Sequence, residues 1–337
     1  MKRTYNIPEW YLSAKEEKCL SQKDKIDYYE RLRLFCEKRR LETTTIGATT
    51  IAPKLKKITG KICAKVCEIL AGGEVEVITD GIENIPKGAV IFACTHQGIL
   101  DNFVWITDCP RHAVIFHSVE TNKALLLCQV NTGLILVSKN KENSANRTSA
   151  KLDMMSVLLN GHSVYICPET AWNLSPNKIH LPINYGFIDV AQKTKVPIIP
   201  MVIEYTYDAT STKEKIQKVH IRYGKAVMVN EKDEISEKLE EYKKIISTIR
   251  WELIEEKGLF QRSDISNEEY INFMEGNLKN LKMGQIDYEK EKCGIQGATQ
   301  EFYLFHHING IPWDEWGELR RTEEVERLKR INIRQKI

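Results

Sequence analysis

The chain has 337 residues, 42% of them hydrophobic and 28% charged, values of a globular protein long enough to bury a sizeable core. Its net charge is only +3, yet residues 1–70 hold sixteen Lys and Arg against nine Asp and Glu, which leaves the remainder at −4. The sequence has no run of eighteen apolar residues and no internal repeat, and its nine cysteines are scattered without a CxxC pair, which argues against a transmembrane helix, a repeat array, a disulfide framework and a zinc site.

The opening stretch, MKRTYNIPEWYLSAKEEKC, lacks the apolar core of a signal peptide, and single thiols suit a reducing cytoplasm. Residues 8–41 read as one or two charged helices with Trp10, Tyr11, Ile26, Tyr29, Leu32 and Phe35 as apolar points. From Pro53 onward, Leu55, Ile58, Ile62, Val66 and Ile69 recur at three- and four-residue steps, flanked by Lys54, Lys57, Lys61 and Lys65. Such a basic amphipathic helix either lies in the headgroup region of an anionic membrane or packs its stripe on the protein's own sheet; the periodicity fits both.

Gly72-Gly73 ends that helix, and Val75 to Ile78 alternates as a short strand. A turn over residues 84–88 feeds AVIFAC (89–94), an apolar run that reads as a strand buried on both faces. Strands follow at 113–116 and 133–139 with a helix between them at 123–128. A polar loop at 140–147 leads into a helix at 150–159 closed by Asn160-Gly161. Further strands fall at 164–167, 196–203 and, as a pair, 219–229; further helices fall at 186–194 and 234–256. The alternation predicts an α/β fold: three αβα layers around a mixed, mostly parallel sheet. The predicted organisation is an N-terminal basic helical segment (1–72), a catalytic domain (73–257) and a C-terminal helical extension (258–337) without an assigned role.

Chemistry concentrates where the central strand ends, in THQGILD (95–101). A histidine just past the carboxyl end of a central strand sits where open α/β sheets bind ligands. Five helical residues would leave His96 and Asp101 about 140° apart. They therefore meet only if His96 lies in the turn before the helix, with Gly98 loosening the backbone. Together they form a base and its orienter. Glu169, after Pro168 cuts off the 164–167 strand, reaches the matching rim position.

These residues resemble the first block of the glycerolipid acyltransferases, the glycerol-3-phosphate and lysophosphatidic acid acyltransferase superfamily of the HxxxxD type. GLILVSK (133–139) resembles the second block, YICPE (165–169) the start of the third and VPIIP (196–200) the fourth, in family order; LPINYG (181–186) is similar to the stretch between the last two. The chain departs from the pattern in three places. Lys139 stands where arginine is usual, Thr170 replaces a glycine, and Trp172 replaces the arginine expected to grip a phosphate, so recognition by a forked cation is in question. Lys139, Arg147 or Lys178 would have to supply that charge, or the acceptor lacks a phosphomonoester and Trp172 stacks on a sugar or lines an acyl groove.

The resemblance implies transfer of a fatty acyl group from a thioester, acyl-CoA or acyl-ACP as co-substrate, to a hydroxyl of a lysophospholipid or related glycerolipid. His96 would be the general base, Asp101 its partner and Glu169 the organiser of the acceptor side, with backbone donors near the Gly98 turn stabilising the oxyanion. No metal or redox cofactor is implied. The expected partners are the donor, the lipid acceptor and a membrane surface met peripherally through residues 53–70 on the cytoplasmic side; nothing points to nucleic acid. Two rival readings are a hydrolase using Cys94 or Cys167 as nucleophile and a lipid-docking protein that kept the fold without turnover.

Overall fold

The computed structural model describes residues 5–39, 61–69 apart from 63 and 67, 73–97, 100–101, 104, 113–118, 133–138, 143–170, 180–207 and 216–256. The helix expected at 123–128, the positions Gly98, Lys139, Trp172 and Lys178, and the whole of 258–337 lie outside the described residues.

Seven strands form one sheet: β1 (Glu76–Asp80), β2 (Ile91–Cys94), β3 (Ala113–Ser118), β4 (Leu134–Val137), β5 (Ser163–Ile166), β6 (Ile198–Tyr207) and β7 (Ile216–Tyr223). Their spatial order is β1-β7-β6-β2-β5-β3-β4, and every pairing is parallel except β6 with β7. The predicted mixed, mostly parallel α/β sheet is therefore what the chain builds. β2 lies at the middle of the order because all four of its residues, IFAC, shed water on both faces.

One face of the sheet is covered by α2 (Gln22–Glu37), α3 (Ser144–Leu159), α4 (Gly186–Thr194) and α5 (Ile235–Glu256), whose apolar residues share a core with Ile91, Ala93, Val114 and Ile198. The other face packs Leu100 and Val104 against Phe92, Ile115 and Tyr165, with Val66 from the 61–69 helix at its margin. Residues 8–41 supply two helices, a short α1 (Ala14–Glu17) capped by Ser13 and the longer α2 capped by Ser21. Tyr29 and Leu32 of α2 are fully buried against the α/β core.

Three local expectations shift. Helix α3 begins at Ser144, six residues before the predicted start, because Asn143 caps it through the Asn146 amide at 3.2 Å; its polar first turn faces solvent and so resembles a loop in sequence. β6 runs on past Ile203 through Glu204, Tyr205 and Thr206. The expected strand pair at 219–229 is one strand, β7, followed by an isolated bridge from Val227 to Ile198. Gly224 makes the break: its amide bonds Pro200 O at 2.8 Å, and a Cβ there would sit 2.5 Å from Ile249 Cδ1.

Candidate active site

β2, β5 and β6 are parallel neighbours, so their carboxyl ends open on one edge of the sheet. Thr95 extends β2 by one step: its amide bonds Met201 O at 3.0 Å and its hydroxyl accepts from the Ile203 amide at 3.1 Å. The chain then leaves the sheet at His96 and re-enters helical geometry at Asp101. This is the arrangement the five-residue spacing requires, and His96 Nδ1 lies 2.8 Å from Asp101 Oδ2. The His96 side chain is 17% exposed and that of Asp101 0%, so the imidazole can be reached from outside and its partner cannot.

Asp101 is bound on both oxygens. Oδ2 also accepts from the Gln97 amide at 2.6 Å, and Oδ1 accepts from the Tyr205 hydroxyl. Nδ1 is held by Asp101, and the Cys167 side chain bonds the same imidazole. Burial opposes a charged imidazole here, but the Cys167 thiolate and the Asp101 carboxylate outweigh it and hold His96 well above its usual pKa.

Glu169 is 1% exposed and braces two segments: Oε1 accepts from the His96 amide at 3.0 Å and Oε2 from the Leu181 amide at 2.7 Å. Burial pushes its carboxyl up to about 7, against the pull of those two amides. The LPINYG stretch is tied on a second time, since Asn184 donates to Pro168 O from its backbone at 3.0 Å and its side chain at 3.1 Å. The turn after β2, the turn after β5 and the LPINYG stretch thus meet at one rim.

Thr170 has φ 61°, the left-handed region that a β-branched residue enters at a cost of about 1–2 kcal/mol. This is why glycine would suit the position. The Thr170 amide closes the turn onto Cys167 O at 3.0 Å. Arg147 is not in a loop but in the first turn of α3, exposed beside the end of β4. Two strands separate β4 from β2, so this cation stands roughly 14 Å along the sheet from the His96 strand. Among the described residues, the amides of His96 and Gln97 are already engaged by Glu169 and Asp101, which removes both as oxyanion donors.

Of the two cysteines, Cys94 is fully buried and its thiol is pushed up by burial, whereas Cys167 is partly exposed. Among the described residues no three His, Cys, Asp or Glu side chains are grouped to hold a metal ion.

Sequence reasoning missed Tyr205, Gln97 and Arg250. Arg250 of α5, 5% exposed, donates to Gln97 Oε1 at 2.9 Å and to Glu204, clamping the turn after β2 from the opposite face. The alternating EYTY that follows IPMVI was the available signal for Tyr205: it continues the period-2 pattern and places a hydroxyl on the His96 side of the sheet.

An imidazole held by a buried carboxylate at the carboxyl edge of a mostly parallel α/β sheet is the centre of this site. Residues 76–204 match the acyltransferase family. The chain is 26% identical over 172 residues to a 1-acyl-sn-glycerol-3-phosphate acyltransferase of Saccharomyces cerevisiae, a match covering 50% of this chain and 55% of the relative. The chain thus spans about half the length of that relative. Among solved structures it is similar to the 1-acyl-sn-glycerophosphate (LPA) acyltransferase PlsC of Thermotoga maritima, at 19% identity and a TM-score of 0.45, covering 67% of this chain and 89% of that one.

Proposed function

We propose that the protein transfers a fatty acyl group from an acyl thioester, on coenzyme A or acyl carrier protein, to a free hydroxyl of a lysophospholipid or related glycerolipid. The observation that carries this reading is the 2.8 Å contact between His96 Nδ1 and Asp101 Oδ2 at a solvent-reachable rim, inside the segment that matches the acyltransferase family. His96 Nε2 takes the acceptor's hydroxyl proton as the oxygen attacks the thioester carbonyl. Asp101 holds the tautomer and offsets the imidazolium that forms. The thioester C–S bond then breaks, and the imidazolium returns the proton to the departing thiolate.

Glu169 serves this chemistry by fixing the His96 backbone against the Leu181 segment, which sets the acceptor side of the rim. Oxyanion donors would come from the backbone around Gly98. Docking at the cytoplasmic face of an anionic membrane is supported by the 61–69 helix, where Ile62 and Ile69 are 52% and 71% exposed beside Lys61 and Lys65. Among the described residues no helix is long and apolar enough to cross a membrane.

The test is acyl incorporation from radiolabelled acyl-CoA into lysophosphatidate and a lysophospholipid panel. His96→Ala is expected to lower the rate by a factor on the order of 10³ or more while the far-UV dichroism and unfolding midpoint stay as in the parent. Full turnover by a folded His96→Ala protein refutes the mechanism; no incorporation by the parent with any acceptor favours the docking-protein reading.

A further inference from the structure

β2 and β5 are in register, Phe92 opposite Tyr165 and Ala93 opposite Ile166, so the next step sets Cys94 opposite Cys167. Both thiols belong to the face that packs Phe92 and Tyr165, and Cys167 donates to the Tyr165 hydroxyl at 3.4 Å. Neighbouring strands are about 4.8 Å apart, inside the range of about 4.4–6.8 Å between Cα atoms that a disulfide spans. Pro168 ends the ladder directly after Cys167, so that residue has slack which one in mid-strand lacks. Cys167 is partly exposed, Cys94 not at all, and Glu169, two residues on, holds the His96 backbone.

We propose that Cys167 is a peroxide-reactive modification site and Cys94 its resolving thiol, so that oxidation links the two strands beside His96 and stops turnover; as a control on turnover this rests on the acyl-transfer reading.

The order of events follows from exposure. Hydrogen peroxide reaches Cys167 first, and the Cys167 thiolate attacks one of its oxygens. The O–O bond breaks, a sulfenic acid forms, and the departing hydroxide leaves as water with a proton from the His96 imidazolium. Cys94 then displaces the sulfenic hydroxyl: the S–S bond forms and a second water leaves, carrying the Cys94 proton. The sulfur pair loses two electrons and the peroxide gains them. Burial disfavours a thiolate at Cys167, but the facing Cys94 thiol and the His96 imidazolium hold its pKa down to about 6, which suits the first step. The bond would draw the Cys167–Pro168–Glu169 turn toward β2 and disturb the contact of Glu169 with the His96 amide. Displacements of this size beside a base cost roughly tenfold or more in rate.

The full chain, fully reduced, is titrated with hydrogen peroxide and each sample is split for non-reducing peptide mapping and the acyl-transfer assay. The expected result is a Cys94–Cys167 peptide lighter by two hydrogens, growing in step with a loss of rate of roughly tenfold or more, both reversed by dithiothreitol. Cys94→Ala, or Cys94→Val where alanine does not fold, is expected to stop at a sulfenic acid trapped by dimedone on Cys167. Cys167→Ala is expected to show the same rate before and after treatment. Free thiols at both positions after peroxide, a bridge elsewhere, or equal inactivation of Cys167→Ala overturns the proposal. An untreated protein that transfers no acyl group, yet forms the bridge, overturns the acyl-transfer reading and leaves the modification site standing.

Discussion

At Asp101 three donors converge on one fully buried carboxylate: the His96 ring and the Gln97 amide on Oδ2, the Tyr205 hydroxyl on Oδ1. A charge with no water around it is held by such bonds alone, so the pair behaves as a unit with His96. Burial works against the imidazolium, Cys167 and Asp101 work for it, and the outcome is a pKa well above the ordinary value of about 6.5. In the proposed acyl transfer the neutral imidazole is the base, so kcat/KM is expected to keep rising with pH beyond the range where an ordinary histidine levels off. Stability runs the other way. A group whose folded pKa is raised adds stability in full below its unfolded pKa and loses it as pH climbs through the folded one. The urea midpoint is therefore expected to fall over the window in which the rate rises. Tyr205→Phe tests the third donor. A hydroxyl on Oδ1 draws charge from the carboxylate, so its loss strengthens the pull on the imidazolium and moves the acid limb of the rate profile upward, by up to about 1 pH unit. The facing groups Cys94, Tyr165, Cys167, Glu169 and Arg250 stay in place in that variant. A limb that stays still or moves down, in a variant folded as the parent, removes Tyr205 from the set that tunes His96.

At the level of elements, local pattern carried most of the fold. The apolar run of β2 and the Asn160-Gly161 stop after α3 are signals within a dozen residues, and they placed those elements. The rim position of His96 and its meeting with Asp101 were legible too, because helical geometry leaves few ways for side chains five apart to touch. Long-range partners were not legible. Lys193 reads as the exposed end of α4, yet its side chain is 1% exposed, with Glu17 at 2.7 Å and Asp189 at 2.8 Å. Glu17 is 176 residues away, and no periodicity connects the two. Tyr29 joins the same cluster by donating to Glu17 at 2.6 Å, so α1 and α2 are bolted to α4 through a buried ionic knot. The bond of Tyr205 is illegible for a related reason: its partner Asp101 belongs to another element, and the unbroken apolar run of β6 ends at Ile203. Removing one member of such a knot leaves the others buried without compensation. Lys193→Met is expected to lower the unfolding free energy by about 3–5 kcal/mol, read as a drop in urea midpoint at unchanged m. The loss at Asp189 is moderated by Lys151, which also reaches it. A midpoint within error of the parent would mean that the knot contributes no net stability.

Across the whole molecule, the two described parts of residues 1–70 are placed differently. The first, up to Arg39, is built into the core: Tyr28, Tyr29, Leu32 and Cys36 share a cluster with β2 and α3, and Arg39 bonds Asp153 at 3.1 Å with both side chains at 0% exposure. The charge of Arg39 is held inside the protein by Asp153 and Ser149 and by a ring contact with Phe35. The second part, the 61–69 helix, turns Val66 inward and leaves Lys61, Lys65, Ile62 and Ile69 in water. One experiment separates the two. A chain lacking residues 1–39 strands Lys193 without Glu17 and Asp153 without Arg39. Each loss is worth about 3–5 kcal/mol against a total stability of about 5–15 kcal/mol, so this chain is expected to show no cooperative unfolding and no turnover even in detergent. The double variant Lys61→Glu with Lys65→Glu touches no buried group and is expected to unfold at the parent's midpoint. On vesicles rich in anionic lipid each lysine contributes about 1 kcal/mol, so losing two weakens co-sedimentation about thirtyfold, with turnover of a detergent-dispersed acceptor kept. A truncated chain that folds and turns over would return the N-terminal helices to the status of a dispensable appendage, and unchanged vesicle binding by the double variant would move the docking surface elsewhere on the molecule.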